Sequence, residues 1–211
     1  MSVVPFPDDV SIGGNLRVAG SIQPAKARSA ILELAELQAF TVPMSIWRKH
    51  DAYATFLTGT PAADDLGLVG GTFNTNAPSL QTDDFGENGA EVAYYARGEI
   101  QLPAEYVAGQ SVVLRLHAGM LTAVADQSCT VDIEVYKSDE DGTSTGDICA
   151  DAPVADNMNS LVFDDVDFTI TPTTLSPGDL LDVRIKVTAD DNATAVCTAC
   201  IGSVQLLCDV R

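Results

Sequence analysis

Cys129, Val131, Ile133 and Val135 alternate strictly with Thr130, Asp132, Glu134 and Tyr136. Successive side chains of a strand point to opposite faces, so this run offers one side to a core and the other to water. The same parity returns in Leu181, Val183, Ile185 and Val187 against Asp182, Arg184 and Lys186, and again in Val204, Leu206, Cys208 and Val210. Further strands are expected over Val92 to Leu102, Ser111 to Ala118 and Leu161 to Ile170. Turn clusters at Pro103-Ala104-Glu105, Asp139-Glu140-Asp141-Gly142 and Ser176-Pro177-Gly178-Asp179 separate them. The pattern yields about eight strands, the number a jelly roll uses. The expected fold class is all-β, an antiparallel jelly-roll β-sandwich over residues 90–211.

Two stretches precede it. In residues 1–24, Val10, Ile12, Leu16, Val18 and Ile22 share one parity, so an extended arm would have one apolar face. An arm so short has little of its own to bury that face against, and its glycines make it costly to order alone. The face is therefore expected to pair with another chain by strand addition, the alternative being an edge strand folded onto its own domain. Residues 25–89 read as an irregular wrapping segment with short elements, punctuated by Pro43, Pro61, Pro78 and Gly70-Gly71. Within it, Ser29 to Phe40 leans towards a short helix after a Ser29 cap, although Ala30, Leu32 and Leu34 also fit a strand.

Hydrophobic residues make up 46% and charged residues 19% of 211, a composition that folds. Against 30 Asp and Glu stand only 11 Lys and Arg, a formal charge of −19. Such a field repels phosphate backbones and anionic lipid, so neither nucleic acid nor a membrane is an expected partner. The first residues lack the basic and apolar regions of a secretory signal, and the expectation is synthesis in a cytoplasm. The odd number of cysteines, Cys129, Cys149, Cys197, Cys200 and Cys208, is then expected to stay mostly reduced.

Leu102-Pro103-Ala104-Glu105-Tyr106-Val107-Ala108-Gly109-Gln110, then Val112-Val113-Leu114-Arg115, then Leu175-Ser176-Pro177-Gly178-Asp179-Leu180-Leu181 resemble the single jelly-roll domain recurrent in structural proteins of tailed bacteriophages. Trp47-Arg48-Lys49-His50-Asp51 and Asp64-Asp65-Leu66-Gly67-Leu68 resemble the lead-in of such proteins. Ile12-Gly13-Gly14-Asn15-Leu16-Arg17-Val18-Ala19-Gly20 is similar to repeats of trimeric phage fibres. The resemblance implies a virion component made in the host cytoplasm and carried on the outer capsid surface. It implies a capsid-decorating cement protein that contacts the major capsid protein and associates with itself as a trimer, or next as a dimer. A tail fibre or spike base, or a module binding a receptor or carbohydrate, is the alternative.

The chemistry-bearing residues add no catalytic, cofactor-binding or metal site to this expectation. Cys197-Thr198-Ala199-Cys200 has no second pair at zinc-ribbon distance, and residues i and i+3 of a strand face opposite ways. The acidic run from Asp139 to Asp147 departs from the EF-hand pattern and reads as a solvated hairpin, with Ca²⁺ a weaker possibility. The two histidines, His50 and His117, sit in no hydrolase motif. The paired acids Asp64-Asp65, Asp83-Asp84, Asp164-Asp165 and Asp190-Asp191 read as turns or wet faces. Tyr94, Tyr95, Tyr106 and Tyr136 are the candidates for a saccharide platform, against packing roles, while Trp47 is expected outside the sandwich.

Overall fold

Where the alternation is strict, strands form. The computed structural model describes residues 37–84, 91–122, 127–149, 156–191 and 196–210, within a compact unit that spans Glu36–Arg211. The arm residues Val10, Ile12, Leu16, Val18 and Ile22 lie outside the described residues. In chain order the strands are β1 Gln38–Val42, β2 Gly67–Val69, β3 Ser79–Gln81, β4 Val92–Gln101, β5 Val112–Met120, β6 Gln127–Ser138, β7 Ser144–Asp147, β8 Asp156–Asn157, β9 Asp164–Ile170, β10 Leu180–Asp191 and β11 Ala199–Cys208.

They build two antiparallel sheets. The first runs β2-β3-β11-β5-β9, with β1 on the same edge of β11 as β3; the second runs β4-β10-β6-β7, with β8 also on β6. The result is the expected jelly-roll-like sandwich. Leu114, Leu116, Phe168, Val204 and Leu206 of the first sheet are buried, as are Ala96, Val183, Ile185, Val131 and Ile133 of the second. Each Val, Leu or Ile so buried is worth about 1.5–3 kcal/mol. Among the described residues no helix is long and apolar enough to cross a membrane.

Three strands come from the stretch expected to wrap irregularly. Gln38, Ala39 and Phe40, expected near the end of a helix, instead pair antiparallel with Cys208, Leu207 and Leu206. A ladder along a ready edge of β11 outweighs a helix preference of a few tenths of a kcal/mol per residue. β2 and β3, three residues each, are held as a short antiparallel pair, and β3 rests on β11 through Cys200↔Gln81 and Ile201↔Leu80.

Trp47 corrects the reading of the lead-in: it is 0% exposed and part of the sandwich core. After β1, Pro43 opens a short 3₁₀ turn, Met44–Ile46, which delivers Trp47 to the inward face of β4. The space exists because Gly98 has no side chain there. A Cβ at Gly98 would lie 2.9 Å from Trp47 Cε3 and 3.2 Å from Ile46 Cδ1, too close for the ring to stay. Gly98→Ala is therefore expected to cost about 1–3 kcal/mol by overpacking. In urea this reads as a lower unfolding midpoint with an unchanged slope; a midpoint equal to wild type would show that Trp47 does not depend on this gap.

Candidate functional site

The inner faces of the sheets are spent on the core, so chemistry is left to the outer faces and loops. On the first sheet, Arg115 and His117 of β5 lie opposite Asp167 and Asp165 of β9. Arg115 grips Asp167 through two hydrogen bonds, Nε to Oδ1 at 2.6 Å and NH2 to Oδ2 at 2.7 Å, and His117 Nδ1 stands 2.8 Å from Asp165 Oδ1. Hydrogen bonding from Arg115 holds the Asp167 carboxyl below its ordinary 3.8. These are cross-strand ties on a wet face.

The second sheet is different. Its registers place Tyr95, Lys186 and Asp132 in one row, Arg97, Arg184 and Glu134 in the next, and Glu99, Asp182 and Tyr136 in a third. Arg97 reaches diagonally to Asp182, with Nε 2.7 Å from Oδ1, and Arg184 NH2 meets Glu134 at 2.6 and 2.7 Å. Most of these groups are half-buried, and with His50 and Ser144 several of them line an open cleft of about 280 Å³. Tyr136 donates to Glu134 at 3.3 Å. Burial first, then the Glu134 charge, pushes its phenol above the ordinary 10.0, which keeps the hydroxyl neutral. A larger groove of about 530 Å³ beside Val69, Pro78, Leu121 and Cys200 is mostly apolar. Of its polar side chains Asn76, Ser79 and Gln81, Gln81 and Ser79 already bond each other at 2.8 Å, so few polar groups converge on it.

The free edge of β4 is covered by two loop segments. Arg48 exchanges backbone hydrogen bonds with Arg97 at 2.8 and 3.0 Å; further along, Tyr95 donates to Asp64 O at 2.7 Å and Leu66 donates to Tyr95 O at 2.8 Å. These ties group Lys49, Asp64 and Asp65 around His50, which lines the cleft. Lys49 Nζ lies 2.5 Å from Asp65 Oδ2, and the His50 ring stacks against Tyr95 with centroids 4.5 Å apart. The sequence reading singled out Tyr95, Tyr136, His50 and Asp64-Asp65 separately; the fold puts Tyr136 and His50 in one cleft and sets Tyr95, Asp64 and Asp65 against His50. Tyr94 and Tyr106 are buried.

Elsewhere the candidate groups are used internally. Asp141 Oδ1 accepts from Thr143 N at 3.0 Å and Oγ1 at 2.6 Å, and Asp147 Oδ1 accepts from Val135 N and Cys149 N. The acidic run is thus a turn that bonds itself. All five thiols are buried. Cys197, just before β11, belongs to the core while Cys200 of β11 lines the apolar groove, so the two thiols face different surroundings. Desolvation, with Cys197 nearby adding, pushes the Cys129 thiol up to about 12. A thiol held that far up stays protonated and unreactive at neutral pH.

No protein-family model matches the chain, and no curated protein matches it. Solved structures similar to it include a xylan-binding module, CBM15, at 14% identity and TM-score 0.41, covering 83% of this chain and 99% of that one. A mannan-recognising module, TmCBM27, stands at 10% identity and TM-score 0.42, covering 82% and 97%. The CBM22-1 xylan-binding domain of Paenibacillus barcinonensis Xyn10C stands at 10% and 0.36, covering 70% and 82%. At such scores the likeness carries no inference about a ligand.

Asp132 gives the face a pH signature. It is 9% exposed and its Oδ1 has no hydrogen-bond partner. Desolvation is the main cause that raises its pKa above 3.8. A carboxyl raised on folding stabilises the fold only while protonated, so stability falls as pH climbs from 3.8 through the raised value and the cost persists above it. Asp132→Asn is expected to melt at a higher temperature than wild type at neutral pH, with the difference vanishing below about 3.8. Thermal melts of both proteins across that range check this, and a pH-independent difference would contradict it.

Proposed function

We propose that the outer face of the β4-β10-β6 sheet binds a neutral oligosaccharide and that the protein is a non-catalytic binding module. The observation that carries this reading is the row-on-row array of paired planar groups, Arg97 with Asp182 and Arg184 with Glu134, lining an open cleft with the half-buried ring of Tyr136, while Tyr95 on the same sheet face packs against His50 and Arg184. Sugar hydroxyls both donate and accept, and guanidinium–carboxylate pairs offer donors and acceptors fixed in one plane. Tyrosine supplies an apolar face with a polar tip. By strand spacing and rise, Tyr95 and Tyr136 lie roughly 16 Å apart along the diagonal, a span suited to a short oligosaccharide. A net charge of −19 disfavours anionic sugars and leaves neutral ones.

Calorimetric titration with xylo-, manno- and cello-oligosaccharides is expected to give saturable binding in roughly the micromolar to millimolar range. Tyr136→Ala and Arg184→Ala should each weaken it about tenfold, equivalent to about 1.4 kcal/mol, with thermal melting close to wild type. A panel without any saturable signal would sink the reading.

The shared parity of Val10, Ile12, Leu16, Val18 and Ile22 favours a second reading, capsid decoration through an arm that pairs with a neighbouring copy and with the major capsid protein. Leu16→Asp with Val18→Asp is then expected to convert an oligomer, a trimer before a dimer, to monomer in sedimentation. Association that survives the double change would remove the arm from consideration.

A further inference from the structure

At the rim of the cleft, the His50 imidazole stands between two carboxylates. Its Nε2 is 3.7 Å from Asp64 Oδ2 and its Nδ1 is 3.5 Å from Asp65 Oδ1. One ligand atom from each of the three residues falls within 4.8 Å of the others. Asp65 is 5% exposed, yet its Oδ1, like His50 Nδ1, is buried without a hydrogen-bond partner. A buried carboxylate oxygen without a hydrogen bond costs on the order of 1–3 kcal/mol, and Asp65 Oδ1 and His50 Nδ1 face each other at 3.5 Å without completing one.

We propose that His50, Asp64 and Asp65 form a mononuclear site for a divalent transition metal of the zinc class. The donor set decides the class: one imidazole nitrogen and two carboxylates suit Zn²⁺ with a fourth position open, whereas Ca²⁺ takes six to eight oxygens. Metal–ligand bonds of 2.0–2.1 Å put tetrahedral ligands about 3.3 Å apart. One donor atom from each residue lies within 4.8 Å of the others; because Asp65 faces Nδ1 and Asp64 faces Nε2, a single ion on Nδ1 requires the half-exposed Asp64 side chain to rotate towards that nitrogen. Lys49 occupies Asp65 Oδ2 at 2.5 Å, which orients the carboxylate and leaves Oδ1 for the metal, the usual arrangement of an outer partner. The Tyr95 ring, 4.5 Å from the imidazole, fixes its plane. Asp64, with its side chain 53% exposed, leaves the open position towards solvent. The chain's acidity adds a general attraction for cations. The site stands independently of glycan binding, although it shares the cleft rim.

The test uses the full chain, stripped with chelator and titrated with Zn²⁺ in the absence of sugar. One ion per chain is expected to bind, and His50→Ala and Asp64→Asn should each weaken the affinity at least tenfold. Co²⁺ in place of Zn²⁺ is expected to show a visible ligand-field spectrum without a thiolate charge-transfer band. Cys197→Ser with Cys200→Ser should change neither result. Asp64→Asn alters a half-exposed side chain and serves if His50→Ala disturbs the fold, as melts in chelator will tell. No saturable Zn²⁺ uptake, uptake that survives both ligand substitutions, or uptake lost with the cysteines would each overturn the assignment and leave an ion-paired cluster. Because no sugar is present, none of these outcomes depends on the glycan reading.

Discussion

Trp47 packed on Gly98 is the contact on which the described site depends. A fully buried indole commits the chain entering after β1 to the edge of β4, where Arg48 pairs with Arg97 and, further along, Asp64 and Leu66 bond Tyr95. Without an inward-facing glycine the ring would not fit, and the backbone bonds that tie Arg48 to Arg97 and Asp64 to Tyr95 would lose their anchor. Covering this edge also removes a row of unpaired amides that would otherwise recruit another strand. One aromatic side chain therefore closes the sheet and sets the rim of the cleft.

The arrangement within the cleft runs against ordinary cross-strand preference. Arg97 and Arg184 face each other directly on β4 and β10, and like charges so placed repel. Asp182 on one side and Glu134 on the other compensate them, so two guanidinium groups stand adjacent and held in plane. Five of the chain's 11 basic residues, Arg48, Lys49, Arg97, Arg184 and Lys186, gather at this face and its rim. Three of them are held by carboxylates of the same chain, Lys49 by Asp65, Arg97 by Asp182 and Arg184 by Glu134. Side chains paired and half-buried in this way have already lost most of their rotamer freedom in the fold itself.

Much of the sandwich was legible because period-two alternation is a local signal. β6 and β10 write their inner faces in consecutive odd-numbered residues, with polar residues between them that named the outer face in advance, whereas β11 keeps one parity only over Val204, Leu206 and Cys208, a bulge between Ile201 and Ser203 shifting the register. What the alternation could not carry was the strand order. Glu134 and Arg184 are fifty positions apart in sequence, and their meeting follows only once β10 lies between β4 and β6. β1 was hidden for a related reason: Gln38 to Phe40 ends a run of helix-forming residues, and only the waiting edge of β11 makes it a strand. Trp47 was misplaced because its cavity is made by an absence, the missing side chain of Gly98, which no pattern of apolar residues records.

His50 illustrates the same limit at the level of chemistry. Read in sequence, Trp47-Arg48-Lys49-His50-Asp51 is part of a lead-in and Asp64-Asp65 a turn or a wet face. Each is unremarkable alone, since adjacent side chains of one extended segment diverge. The β4 edge brings both segments into register with Tyr95 from opposite directions, one by an antiparallel bridge to Arg97 and the other by a parallel bridge at Asp65. Convergence is then forced by backbone pairing, before any attraction between imidazole and carboxylate acts. A group of ligands assembled in this way is already in place before a cation arrives, so binding need not also order the loops that carry them.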